Sequence, residues 1–129
     1  LNEIKRLNDM ARFAKRTDSN HREIANALRA LGFKVKNTSQ AGDAALDMIA
    51  TKDDVSYFVE VKTEKGKLRQ KQAEFIINNE NAVVVRSVDD CKTLLNYPEL
   101  LREKSVAEAR KVKMTIKKSP KALHHLWAV

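Results

Sequence analysis

The sequence holds one cysteine, two prolines and three glycines, and only 5% of its residues are aromatic. With a single thiol, Cys91, no disulfide can close within the chain. A secreted disulfide framework is excluded, and a reducing, cytoplasmic setting is expected. No apolar run approaches the ~20 residues that span a bilayer. The opening stretch from Leu1 to Arg16 is amphipathic and charged, unlike the apolar heart of a signal peptide. So few glycines and prolines leave no low-complexity linker and no internal repeat. One domain over residues 1–129 is expected, with a core at about 18–97 and a basic helical extension at about 98–129.

Acidic residues are also in short supply: 17 Asp and Glu face 25 Lys and Arg, for a net charge of +8. A positive field of this size favours polyanions, nucleic acid above all. Much of the excess lies between Arg102 and Lys121, where eight Lys or Arg stand against Glu103 and Glu108. Arg110, Lys111, Lys113, Lys117 and Lys118 are therefore candidate phosphate contacts. His124 and His125 are adjacent, so helical geometry turns them ~100° apart, and they lack the spacing of a metal pair. Leu123, Leu126 and Trp127 form an apolar end suited to packing on the core or on a second subunit.

Periodicity divides the chain into elements. Residues 2–16 read as a first helix. A second runs from about Asn20 to Leu31, with Ile24, Ala25, Leu28 and Leu31 as its apolar stripe and Gly32 as its stop. Strands are expected at Phe33–Lys36, Ala45–Ala50 and Tyr57–Thr63, with turns at Gln40–Asp43 and Asp53–Asp54. A helix over Arg69–Asn79 precedes a continuous apolar strand at Ala82–Arg86, the pattern of a strand covered on both faces. Ser87 caps a further helix, Pro98 punctuates, and a basic helix follows from about Glu99 to Met114. Three meandering strands, a crossover helix and a fourth strand make an α/β fold, a mixed four-stranded sheet flanked by helices.

Charges stand where such a fold wants apolar residues. Side chains alternate faces along a strand, so Phe58, Glu60 and Lys62 share one face. Glu60 and Lys62 interrupt an otherwise apolar run, as Asp47 does between Leu46 and Met48. A charge placed against a core is costly unless it is satisfied or binds something. If the two strands are hairpin neighbours, Asp47 and Glu60 converge into a hard, oxygen-rich site suited to Mg²⁺ or Mn²⁺. Lys62, two residues or about 7 Å further along, would orient water or stabilise charge on a phosphate. The plain alternative is an exposed strand face bearing ordinary charges.

Asp47, twelve intervening residues and then Glu60-Val61-Lys62 resemble the PD-(D/E)XK nuclease signature. The continuation Gly66-Lys67-Leu68-Arg69, then Gln72, then Val83-Val84-Val85-Arg86-Ser87, is similar to VRR-NUC domains and archaeal-type Holliday junction resolvases. The resemblance covers about His21 to Leu95. It implies a restriction-endonuclease-like core and metal-dependent phosphodiester hydrolysis, with DNA ahead of RNA and a structure-selective endonuclease in view. It makes Asp47, Glu60 and the backbone of Val61 ligands of Mg²⁺ or Mn²⁺, Lys62 catalytic and Gln72 an auxiliary active-site residue. Lys65, Lys67 and Arg69 become candidate nucleic-acid contacts. Junction resolution would require paired sites and hence a homodimer. Two departures stand out: Leu46 replaces the usual proline, and Asp43 competes with Asp47 as first ligand. An RNase or toxin-like nuclease on the same scaffold, and a non-catalytic nucleic-acid-binding module, remain the competing readings.

Such nucleases carry a further ligand on the helix before the first strand, and His21 and Glu23 compete for that role. At ~100° per residue the apolar stripe of the helix centres ~40° from His21 and ~120° from Glu23. His21 is the first choice and Glu23 the second.

Overall fold

The computed structural model describes residues 20–38 and 46–117. The helix read over residues 2–16, the Gln40–Asp43 turn with its competing ligand Asp43, and Lys118 through the His124, His125 and Trp127 end lie outside them. Helix α1 occupies residues 20–30, followed by β1 (Lys34–Asn37), β2 (Met48–Lys52) and β3 (Val55–Val61). Helix α2 (Gln70–Asn78), β4 (Ala82–Val85), α3 (Val88–Asn96) and α4 (Pro98–Lys117) complete the order. The sheet runs β1-β2-β3-β4, antiparallel through the first three strands and parallel between β3 and β4. This mixed α/β architecture is consistent with a restriction-endonuclease-like core. No helix among the described residues is long and apolar enough to cross a membrane.

Local chemistry sets each element. Helix α1 ends at Gly32, whose φ of +98° is a left-handed cap that L-residues avoid, and Phe33 N–H donates back to Leu28 O at 3.0 Å. Asp53 and Asp54 both hold positive φ (51° and 64°), as a two-residue hairpin turn requires. That turn pairs Lys52 with Val55 and fixes Met48 opposite Val59. Ser87 Oγ accepts from Asp90 N–H at the start of α3, which carries Asp89 and Asp90 in its first turn. Pro98 opens α4 directly, where its missing N–H costs nothing.

The sheet buries both faces. Ile24 and Leu28 of α1 pack with Met48, Ala50, Val59, Val83 and Val85 on one side, together with Cys91 and Leu94 of α3. On the other side Ala73 and Ile76 of α2 pack with Val84 and Ala109 of α4, and Phe58 stacks edge-on against Phe75 at 5.4 Å. All four residues of β4 are buried, as its unbroken apolar run predicts. Helix α4 guards that strand's free edge. Its buried Ser105 Oγ accepts from Val84 N–H at 2.9 Å, and Arg102 donates to Ala82 O and Ile76 O at 2.7 and 2.6 Å. An unpaired strand edge would otherwise expose a row of backbone groups.

Candidate functional site

The β2–β3 register dictates the site. Met48 pairs with Val59, so the next pair outward sets Asp47 against Glu60. Asp47 lies in a bend one residue before β2, and Lys62 one residue beyond β3, so neither belongs to the strand to which its pattern assigns it. The ladder stops there because other groups take over the backbone. Thr38 clamps the bend, its N–H donating to Asp47 O at 2.9 Å and its hydroxyl donating to Leu46 O. Lys62 N–H donates to Val85 O at 3.1 Å, while Asn20 Nδ2 donates to Lys62 O at 2.9 Å.

Three side chains and one backbone amide converge on the two carboxylates. Asp47 Oδ2 accepts from Val61 N–H at 2.8 Å, and Asp47 Oδ1 stands 3.7 Å from His21 Nε2. Glu60 is 3% exposed. Its Oε1 accepts from Gln72 Nε2 at 2.8 Å and lies 3.4 Å from Lys62 Nζ. Gln72 is itself anchored, because its Oε1 accepts from Arg69 N–H at 2.9 Å and so closes the first turn of α2. Glu23, the second choice on α1, is exposed and away from this group.

The electrostatics are those of two anions forced together. Burial, and then the charge of Asp47, push the Glu60 carboxyl from 4.5 up to about 7, against the opposing pull of Lys62. Burial would also raise Asp47, but the nearby His21 and the hydrogen bond from the Val61 amide hold it below the ordinary aspartate value. Two adjacent carboxyls whose titrations are driven apart are a frequent sign of chemistry.

These groups lie in a cleft of about 690 Å³ bounded by α1, β1 and the N-terminus of α2. Arg69 and Gln72 line it from one side, and Arg22 and Arg29 line it from α1. Of the expected nucleic-acid contacts among the described residues, Arg69 lines this cleft. Lys65 and Lys67 are exposed on the turn before α2, and Arg110 and Lys111 are exposed on α4 with Lys113 half-buried. Lys117 closes α4. The sequence reading passed over Arg22, Arg29, Thr38 and Asn20. Arg22 and Arg29 were legible in principle, since residues seven apart share one face of a helix. The Thr38 and Asn20 contacts arise only in the tertiary structure.

Divalent-metal chemistry can be tested against this donor set. Among the described residues, no three His, Cys, Asp or Glu side chains gather closely enough to cage an ion by themselves. Mg²⁺ does not require such a cage. It is commonly held by one or two carboxylates plus waters and substrate phosphates. Asp47 and Glu60, with the proton affinity of Glu60 raised by burial and then by its neighbour, supply the oxygen pair such an ion needs.

Residues 21–77 match a family model described as restriction endonuclease (Mrr_cat). No curated protein and no solved structure matches the chain. The matched segment begins at His21 and runs through Asp47, Glu60, Lys62 and Gln72, so the part of the chain that builds the cleft is the part similar to a restriction endonuclease domain.

Proposed function

We propose that the protein is a metal-dependent nuclease that hydrolyses phosphodiester bonds in DNA. The observation that carries this reading is the meeting of Asp47 and Glu60 at the floor of a basic-walled cleft, with Lys62 3.4 Å from Glu60. A Mg²⁺ or Mn²⁺ ion held by Asp47 and Glu60 would acidify a water and polarise a phosphate oxygen. The remaining work falls to the protein's own groups. Gln72 fixes the rotamer of Glu60 by its 2.8 Å hydrogen bond, and the Val61 amide fixes Asp47. Lys62, with its backbone tied to Val85 and Asn20, presents an ammonium that stabilises negative charge growing on the phosphate. His21, beside Asp47, contacts the phosphate or aids ion binding.

DNA is favoured over RNA because the matched family is described as restriction endonuclease. Within nucleases, the run from Gly66 to Arg69 and on to Gln72 favours a structure-selective enzyme akin to VRR-NUC and junction-resolving domains. A junction resolver would act as a homodimer, and the basic residues of α4 would then add affinity along the duplex arms. Cleavage of four-way junction, flap, duplex and single-stranded DNA, and of RNA, with Mg²⁺ or Mn²⁺ tests the reading. Metal-dependent cleavage lost in Asp47→Asn and Glu60→Gln is expected. Metal-independent cleavage, or wild-type turnover in either variant, would sink it, and cleavage of RNA alone would select the ribonuclease reading.

A further inference from the structure

We infer that the α1 face carrying Arg22 and Arg29 is a phosphate-binding rail. Along it one nucleic-acid strand runs from the carboxylate pair toward the C-terminal end of the helix. This rests on the nuclease reading for the identity of the polyanion, and it adds the path of the strand.

Three observations carry it. First, both arginines line the cleft that holds Asp47 and Glu60, although the helix could have turned them to bulk solvent. Second, neither guanidinium lies within 4 Å of a carboxylate among the described residues, where the four ion pairs involve His21, Lys62, Arg86 and Lys92. The contact given to Arg29 is an exposed hydrogen bond from its Nη1 to Asn26 at 3.5 Å, which offsets no charge. Third, the cleft wall is basic beyond its acidic centre: among the described residues, Arg22, Arg29, Lys62 and Arg69 line it against Asp47 and Glu60.

The spacing gives the rail a direction. Seven residues of α-helix advance about 10 Å, roughly three base-pair rises of ~3.4 Å along a B-form axis. His21, one residue before Arg22, stands beside Asp47, so Arg22 sits near the carboxylates and Arg29 two turns away from them. Val35 and Asn37 of β1 line the cleft as well, so the groove follows the sheet in that direction. A point anion such as free phosphate would need its cations gathered around one centre. Cations in series along a helix suit a chain of phosphates.

Binding without turnover tests this. Labelled duplex and single-stranded oligonucleotides are titrated in EDTA across a range of salt, with wild-type protein, Arg22→Gln, Arg29→Gln, the double variant and the double Arg→Lys variant. Circular dichroism melting checks that these exposed positions leave folding unchanged. Each Gln is expected to lower the slope of log K against log salt by about 0.9 on duplex or 0.7 on a single strand. The double variant is expected to lose about twice that, and the Lys pair to restore it. An unchanged slope in the double Gln variant overturns the rail, as does a wild-type protein with no salt-dependent binding. Parallel cleavage assays keep the two readings apart. Reduced slopes without cleavage by any metal-loaded wild-type protein leave the rail standing and the nuclease reading fallen. Unchanged slopes with cleavage do the reverse.

Discussion

The α4 side of the sheet and the cleft handle buried charge in opposite ways. At the α4 side, charged and polar groups close open backbone positions. Arg102 takes the carbonyls of Ile76 and Ala82, Ser105 takes the Val84 amide, and Arg86 binds Glu108 along with the carbonyls of Thr63 and Gly66. At the cleft, Glu60 is nearly as buried as Ser105 (3% against 2%), yet it faces another carboxylate. One arrangement lowers the energy of the fold. The other raises it and is kept, which is what a site organised for a cation and a phosphate looks like.

The largest effects should come from exchanging these two behaviours. Asp47→Asn or Glu60→Gln is expected to cut cleavage by about 10²–10³-fold or more, while urea titration shows stability equal to or above wild type because a like-charge contact is gone. Arg102→Met is expected to do the converse. It leaves two carbonyls unanswered, lowering stability by about 1–3 kcal/mol with kcat unchanged in the remaining folded protein. A Glu60→Gln protein that unfolds as easily as Arg102→Met would erase the distinction.

A second effect, of middle size, is a pH dependence confined to the cleft. Glu60 binds its proton more tightly folded (about 7) than at its ordinary value of 4.5. Its stabilising contribution is therefore complete below pH 4.5 and lost as pH rises through 7. At 1.36 kcal/mol per pK unit the loss is at most about 3 kcal/mol. Asp47, held low, titrates below that window. Melting of the metal-free protein from pH 4.5 to 7.5 should show the decline, Glu60→Gln should flatten it, and Mg²⁺ or Mn²⁺ at pH 7.5 should reverse it. A wild-type curve that tracks Glu60→Gln would remove the electrostatic argument for ion binding.

The smallest effects should discriminate residues within the cleft. Lys62→Ala is expected to lower kcat by about tenfold to a hundredfold with KM little changed, since its charge acts on the transition state. His21→Ala should cost more activity than Glu23→Ala, because only the histidine reaches Asp47. Steady-state kinetics on the three variants would settle the ranking, and equal losses at His21 and Glu23 would mean that the histidine contributes by position on the helix alone.

Much of this was written in local pattern. Asp47, Glu60 and Lys62 stood out because strands tolerate buried charge poorly, and the stripe of Ile24, Leu28 and Leu31 was enough to aim His21 inward. The basic count also pointed to nucleic acid, but it directed attention to Arg102–Lys121, where charge is densest in sequence. Density along the chain does not report what a side chain meets. Arg102 is consumed by two carbonyls from residues 20 and 26 positions away, whereas sparse Arg22 and Arg29 gain a place in the cleft from the pairing of distant strands. Contacts such as Thr38 with the 46–47 bend, or Asn20 with Lys62, bridge gaps that periodicity cannot see.

The Asp53–Asp54 turn acts as a ruler for the carboxylates. From that turn to Asp47 and Glu60 each arm is five or six residues, so the pair meets some 16–20 Å from the bend that sets it. One inserted residue in the turn would slip the register by one and send the two carboxylates to opposite faces of the sheet. Such a hairpin closes over a short span of chain, on a timescale of about 1–10 μs for hairpins in general. Pairing of β3 with β4 must wait for the α2 crossover between them. The acidic floor of the cleft thus rests on a contact local in sequence, whereas the Gln72 and Val85 groups that hold Glu60 and Lys62 reach it only through the longer crossover.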